Sequence, residues 1–439
     1  MQSDKIFDLI KQEKQRQLEV LEMIPSENYA SDAVMKAVGS ELMNKYAEGN
    51  PGRRYYQGNE FVDQVESLAE QRVLEAFGLD ERDWGANVQP HSGCEANLIA
   101  YNAILNPGDK IMSMFLPDGG HLSHGWQLPG KKLTLVSKIY DISFYKVDEK
   151  TKLFNYDEIE KQAKLVQPKL IISGGTAYAR EIDHERMGKI ARNVGAYYLA
   201  DVSHEAGLIA AGVQASPFLH AGIVTFTTHK TLRGPRGAVI LARNDLMPQI
   251  DFSVIPGVQG GPHIHTIAGI AVALEETKKL EFKKYSQQVL KNAQVFAKAF
   301  EKAGFNVVSG GTDKHLVLLD LRGSEVDAWT TTWAMEYANM VVNRNTVPAE
   351  TASAYYPSGL RMGTPAITTR GMKEKECKQI VAWMIKVLNY SKKWQMPKDK
   401  QERRKFVKEI RKEMQADKRL ASIKKQVLEL TSKFPLFAW

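Results

Sequence analysis

VTFTTHKTLRGPRGAVIL, residues Val224–Leu241, sets two short apolar runs on either side of a polar turn. Runs of that length bounded by turn signals read as buried strands. The first run breaks off at Thr227, Thr228, His229 and Lys230. The link from Lys230 to Gly237 is too short for a helical crossover, so VTFTTH and GAVILA are expected as antiparallel neighbours. Upstream, YYLADVSHEAG (Tyr197–Gly207) has an apolar run of its own that closes on Asp201 and His204. Farther out, KLIISGG, AYYLADVS and GIVTFTTH read as strands, with HERMGKIARNVG as a helix between two of them. From about Phe61 to Arg243 this alternation predicts an α/β domain with a largely parallel sheet.

A lysine at the end of a buried strand is partly desolvated, which lowers its pKa and makes the amine nucleophilic. An aspartate at the end of a neighbouring strand can pair with a protonated ring nitrogen. Lys230 and Asp201 therefore supply the protein's half of pyridoxal 5'-phosphate (PLP) chemistry, a Schiff-base amine and a pyridinium partner.

The chain has 439 residues, enough for two or three domains, and 43% of them are hydrophobic, as in soluble globular proteins. No apolar run approaches the roughly 18 residues of a spanning helix. The early charges of MQSDKIFDLIKQEKQRQ do not suit a signal peptide. Two cysteines, Cys94 and Cys377, support no disulfide framework, and a cytoplasmic location is expected. The formal charge is +8, but Ser391–Trp439 alone carries 15 Lys/Arg against 6 Asp/Glu. Such a tail suits nucleic acid. Yet Phe406, Ile410, Leu420, Ile423, Val427 and Leu430 recur at helical intervals, which favours an amphipathic helix pair with a solvated basic face. The remaining pattern predicts a helical arm (residues 1–30), a large domain (31–266) and a smaller α+β C-terminal domain with the basic tail (267–439). A long helical pattern runs from about Ile267 to Ala303; NVVSG and HLVLLDLR follow as strands.

Several further motifs carry polar chemistry. QPHSGCEAN turns into a helix at Ser92, Gly93 and Cys94, whose free amides and helix dipole suit a phosphate; an ordinary start capped by Ser92 is the plain reading. DGGHLSHG sets His121 among glycines, where a flat imidazole can stack on a planar cofactor; a His-x-x-His pair alone is a weak metal signal, and no metal is expected. His204, three residues beyond Asp201, is placed to hold that carboxylate by a hydrogen bond. Arg361, between small residues in SGLRMGTPAITTRG, suits bidentate recognition of a carboxylate. Glu48 lies in a Gly/Pro/Tyr-rich loop with Tyr46, Tyr55 and Tyr56, and a shielded carboxyl group there can serve as acid or base. PGVQGGPH lets a backbone approach a ligand or partner chain closely.

Taken in order, SENYAS, NKYAEG, PGRRYYQG, QPHSG, GGHLSHG, Asp201–His204, TTHKTLRGPRG, QGGP, VSGGTDKHL and GLRMGTPAITTRG resemble the serine hydroxymethyltransferase family over nearly the full length. The resemblance implies a fold-type-I PLP-dependent transferase with a mostly parallel seven-stranded sheet, working as a homodimer with shared active sites. It implies reversible transfer of the serine hydroxymethyl group to tetrahydrofolate, giving glycine and 5,10-methylenetetrahydrofolate. A PLP aldolase on β-hydroxy amino acids or an α-methylserine hydroxymethyltransferase is the alternative. By the same resemblance Lys230 bonds the cofactor, Asp201 holds its ring nitrogen, and His121 stacks on the ring. Ser92, Gly93, Cys94, Thr176, His204, His229 and Arg236 complete the cofactor site with Gly260 and Gly261 of the neighbouring subunit. Arg361, Ser26, Tyr46 and His204 meet the amino acid, and Glu48 and Tyr56 from the other subunit handle protons. Tyr55, Leu116, Gly120, His121, Leu122, Asn345 and Ser353, Ala354 and Tyr355 line the folate site with Glu48. Cys94 and Thr176 stand where the family commonly has serine, Ser353–Tyr355 departs from a frequent Ser-Pro-Phe, and Arg233 is expected to add positive charge near the phosphate.

Overall fold

A computed structural model describes residues 4–353, 355–397 and 399–437. The chain divides into two compact units, Asn28–Gln287 and a smaller one joining Met1–Glu27 to Gln288–Trp439. The first 27 residues thus belong with the C-terminal part, where the sequence suggested a separate arm. The boundary expected at residue 266 lies at 287 because the helix Ile264–Thr277 packs on Glu60–Phe77 and Asp32–Val38 within the larger unit.

The larger unit is built on seven strands: β1 (Trp84–Asn87), β2 (Lys110–Met114), β3 (Asp141–Tyr145), β4 (Leu170–Ser173), β5 (Tyr197–Asp201), β6 (Ile223–Thr227) and β7 (Ala238–Arg243). Their order across the sheet is β1-β7-β6-β5-β4-β2-β3. The pairs from β6 to β3 are parallel; β7 runs antiparallel to both β6 and β1. The short link after Lys230 has the antiparallel consequence expected of it. All five residues of β6 and all four of β4 are buried, as sheet covered on both faces requires. Ile111, Leu170, Ile172, Leu199, Ile223 and Ile240 form one apolar core with Ala96, Ile99 and Tyr101 of helix α1 (Gly93–Ile104). That packing fixes the start of α1 against the ends of the central strands. Helix α2 (His184–Asn193) begins where Asp183 accepts a hydrogen bond from the Arg186 amide, a side-chain cap readable in the sequence.

The single helix expected over residues 267–303 is two, α3 (Ile264–Thr277) and α4 (Leu280–Lys302). Neither Gly nor Pro marks the break. Lys278 closes α3 and ion-pairs locally with Glu275 and, through tertiary packing, with Glu75.

The smaller unit holds an antiparallel sheet, β8 (Asn306–Val307), β9 (Leu316–Asp320), β10 (Asn343–Asn345) and β11 (Gly359–Gly363), in the order β8-β9-β11-β10. NVVSG is strand for only two residues, because Ser309 at φ 59° and Gly310 turn the chain away. The basic tail forms α5 (Lys400–Ala416) and α6 (Lys418–Thr431), capped by Asp399 and Asp417. Ile410, Leu420, Ile423, Val427 and Leu430 enter the core beside Trp329, Met335 and Met384, with Phe406 against its edge. The tail is thus an amphipathic pair whose apolar face is structural. Arg370 binds both chain ends: its guanidinium donates to the Val20 carbonyl at 2.8 Å, Leu18 at 2.9 Å and Thr431 at 3.0 Å. Among the described residues no helix is long and apolar enough to cross a membrane.

Candidate active site

Lys230 and Asp201 stand at the ends of adjacent parallel strands, β6 and β5, and both are buried. The loop carrying the lysine is closed by its own bonds. Gly234 N donates to Thr228 O at 2.7 Å, Thr228 Oγ1 to Pro235 O at 2.6 Å, and Arg233 N to Lys230 O at 3.1 Å.

The Asp201 carboxylate accepts four hydrogen bonds. Asn97 Nδ2 donates at 2.9 Å, the Ser203 amide at 3.0 Å and Ser203 Oγ at 2.6 Å, and His124 Nε2 lies at 3.0 Å. Burial alone would push this carboxyl group up, but the His124 bond, the His124 and His121 imidazoles and Ser203 outweigh it and hold it far below the usual carboxylate range. The group is ionised at any physiological pH, as a partner for a ring N–H must be. His124, Asn97 and Ser203 support this carboxylate, a role the sequence reading had not given them. The turn after β5 puts Ser203 back onto the carboxylate, and the His204 carbonyl faces the lysine loop and accepts from Thr231 Oγ1 at 2.9 Å.

His121 joins the same network, its Nδ1 2.7 Å from Ser123 Oγ, which in turn accepts from Asn97 at 2.9 Å. Asn97 is oriented by Thr225 Oγ1, which donates to its carbonyl oxygen at 2.6 Å. Ligand atoms of His121, His124 and Asp201 lie within 4.8 Å of one another, close enough to share a metal ion. Two of them are already hydrogen-bonded to each other.

Ser92 is the N-cap of α1, yet its hydroxyl makes no capping bond. The amides of the first helical turn have no carbonyl one turn earlier to receive them, so they point at whatever lies beyond the helix end. Gly93 is required there: a Cβ would lie 2.5 Å from Thr227 Cγ2. Burial pushes the Cys94 thiol up, with the Asp201 charge adding to it, so Cys94 stays a neutral thiol. His229 is driven down to about 3 by burial and by the Lys230 and Arg236 charges, so its imidazole is neutral, and its Nδ1 is buried without a protein partner. Arg236 itself is exposed.

The loop of Thr176 closes the far side. Thr176 N donates to Gly119 O at 2.7 Å, and Gly174, at φ 118°, comes so near Asp201 that a Cβ would sit 2.1 Å from its carbonyl oxygen. Leu116, Gly120 and the exposed Leu122 lie on the loop that carries His121.

A second group gathers Tyr46, Glu48, Tyr56, Gly260 and Gly261. Tyr46 donates to Glu48 Oε1 at 2.8 Å, and the Tyr46 and Tyr56 rings meet edge to face at 5.3 Å. A Cβ on Gly260 would lie 3.0 Å from Glu48 Oε1, and one on Gly261 would lie 2.9 Å from the Tyr46 ring. Tyr46, Tyr55 and Tyr56 are exposed. Beneath them sits an ion network that the sequence reading missed. Arg54 donates to Ala47 O at 2.8 Å and to Asp63 Oδ1 at 2.8 Å, and it pairs with buried Glu66 at 2.5 Å. Gln89 donates to Glu66 at 2.6 Å and to Gly49 O at 3.0 Å. PGRRYYQG had shown the arginine, but its acidic partner lies on the helix Glu60–Phe77, where a glutamate reads as solvated.

A third group lies in the smaller unit. Arg361 is buried in β11 and donates through Nε to Asn343 Oδ1 at 3.0 Å; burial lowers its pKa to about 10, so it remains charged near neutrality. The segment preceding Ser26 lies against the same strand, since Gly363 N donates to Met23 O at 2.7 Å. Asn345, in the neighbouring β10, pairs with Gly359 of β11, and the exposed Tyr355 ring lies 5.0 Å from the Arg344 guanidinium carbon. Tyr356 N donates to Ser353 O at 2.9 Å; Ala354 lies outside the described residues. Arg233, expected to add charge at the phosphate, stacks its guanidinium 4.3 Å from the Tyr285 ring centre and 5.2 Å from that of Phe282.

Comparison with known proteins bears on this arrangement. A family model described as serine hydroxymethyltransferase matches residues 1–384. The chain belongs to the serine hydroxymethyltransferase family. Among curated relatives, the mitochondrial serine hydroxymethyltransferase of Saccharomyces cerevisiae is 44% identical over 448 residues, covering 98% of this chain and 91% of the relative. The mitochondrial enzyme of Schizosaccharomyces pombe is 49% identical over 402 residues, 88% of this chain and 82% of the relative. A protein of that yeast named probable cytosolic serine hydroxymethyltransferase is 44% identical over 451 residues, 99% and 96% of the two. The family is PLP-dependent and of fold type I, and the mixed seven-stranded sheet agrees with it. The donor set fits that cofactor. A carboxylate held ionised suits a ring N–H, a helix start with free amides and an orphaned neutral imidazole suit a phosphate, and a buried lysine stands beside them.

Proposed function

We propose that the protein is a PLP-dependent enzyme that reversibly transfers the hydroxymethyl group of serine to tetrahydrofolate, yielding glycine and 5,10-methylenetetrahydrofolate. The observation that carries this reading is the placement of Lys230 and Asp201 at the ends of adjacent strands in a chain of this family. When bound, the cofactor supplies an electron sink for cleavage at the amino-acid α-carbon. The chain supplies the rest. Lys230 would give the amine that holds the cofactor aldehyde, and Asp201, kept anionic, would hold the proton on the ring nitrogen. His121, fixed through Ser123, would offer its flat face. The first-turn amides of α1, Ser92 and neutral His229 would donate to the phosphate. Arg361 would grip the substrate carboxylate, which orients the amino acid without reacting.

Glu48 and Tyr56 would move protons at the hydroxymethyl group, and they are read as serving the site of a second copy. Support comes from the exposed Tyr46–Tyr56 loop, which shares one patch with Gly260 and Gly261. A homodimer with composite sites follows. Tyr55, Leu116, Leu122, Asn345 and the loop at Ser353 and Tyr355 are read as pterin contacts. A cytoplasmic location belongs to the same reading, one of the two compartments named among the relatives, mitochondrial and cytosolic. A visible spectrum of the purified protein tests the function. Glycine alone should change the cofactor band modestly, and adding tetrahydrofolate should produce a strong new long-wavelength band. A colourless protein, or a spectrum indifferent to folate, overturns the reading.

A further inference from the structure

Lysine has a long flexible stem, so the place of its amine depends on how firmly its main chain is held. Arg233, three residues beyond Lys230, has φ 62°. A non-glycine residue in that region is strained and persists where surrounding contacts hold it. Those contacts come from two distant segments. Asn28 Nδ2 donates to Lys230 O at 2.9 Å and to Tyr285 Oη at 2.8 Å. Tyr285 in turn donates to Thr231 O at 3.3 Å, and its ring face carries the Arg233 guanidinium at 4.3 Å, with Phe282 alongside at 5.2 Å. One phenol therefore engages Asn28, Thr231 and Arg233, and one amide spans the lysine carbonyl and that phenol. These groups face the loop from the main-chain side.

We propose that Asn28 and Tyr285 are positioning residues, a clamp on the Lys230–Arg233 turn that fixes where the lysine amine meets the cofactor. The proposal rests on the reading of Lys230 as the cofactor lysine. It predicts that the two residues act as one unit, since their hydrogen bonds share the phenol oxygen.

The test uses the holoenzyme with N28A, Y285F and the double variant. Y285F keeps the ring under Arg233 and so guards against a misfolded N28A. Amide hydrogen exchange over Thr231–Arg233 and the rate of cofactor loss on dilution are the readouts. Each single variant removes two of the clamp's three hydrogen bonds and should raise both by at least roughly fivefold. Exchange in β5 should stay as it was, and kcat should fall with little change in KM for serine. The double variant should do little more than the worse single one. Exchange and cofactor loss at wild-type rates in Y285F, or fully additive effects in the double variant, overturn the clamp. Borohydride reduction and peptide mapping of the wild type separate the two failures. A label missing from Lys230 removes the underlying reading, whereas a label present beside indifferent variants removes only the clamp.

Discussion

The Lys230 loop and the Tyr46–Tyr56 loop are both rich in chemistry, but they are held in opposite ways. The first is largely buried, with Arg236 exposed; its own donors and acceptors are turned on one another at Thr228, Gly234 and Pro235, and the Asn97–Asp201–His124 network belongs to the adjacent strand end. The second is supported from below by the Arg54–Glu66–Gln89 network, while its tyrosines face outward. The groups of the first are satisfied within the chain. Those of the second are presented at its surface, as the proposed delivery of Glu48 and Tyr56 to a second copy requires. The contrast is between groups held in one charge state and groups left open to whatever docks on them.

Mixing two inactive proteins tests that contrast most severely. Lys230→Ala and Glu48→Gln should each reduce turnover at least about a thousandfold, yet only the first should abolish the cofactor band. Co-refolded in equal amounts, they should regain roughly a quarter of wild-type activity, because half the dimers then contain one intact composite site. Activity that stays at the level of the parents would place Glu48 in its own chain's site.

A smaller effect is expected at the base of the outward loop. Arg54→Met leaves Glu66 buried without its cation, which costs about 3–5 kcal/mol of stability in denaturant titration. Arg54→Met with Glu66→Leu should recover most of that loss. If the double variant is as unstable as the single one, the network is not what supports the loop.

The least change concerns Glu22, in the smaller unit. Burial, followed by the nearby Glu27 charge, raises its carboxyl group to about 8. The unfolded chain releases this proton near pH 4.5, the folded chain near 8, so ionisation erodes stability as pH climbs between those values. Glu22→Gln, which retains an acceptor for the Ile24 amide, should raise Tm at pH 8–9 by a few degrees and barely alter it at pH 5. An equal gain at both values would trace the effect to packing.

Much of this was legible in the chain because local chemistry and tertiary role coincide. Apolar runs ending at Asp201 and Lys230 needed no partner to be read as strand ends, and the brevity of the Lys230–Gly237 link decided the antiparallel neighbour. The tail declared its amphipathic helices through spacing alone. What escaped depends on long-range contacts. Asn97 looks like an ordinary polar residue in α1 until β5 and β6 bring Asp201 and Thr225 to it. His124 and Ser203 escaped as the aspartate's partners because the fold brings the first from a distant loop and the turn after β5 aims the second back. The break in α3–α4 has no turn residue to betray it, and the Arg54–Glu66 pair joins a loop to a helix that each look solvated.

Leu21 and Glu22 pair in parallel with Met340 and Val341, and Arg370 ties the carbonyls of Leu18 and Val20 to that of Thr431. Synthesis runs from the N-terminus, and domains generally fold as units. The head of the chain must therefore wait on the ribosome for a strand made long afterwards, while the continuous stretch Asn28–Gln287 can already have emerged entire. The two ends can meet only late, and Arg361 lies in the unit that synthesis completes last.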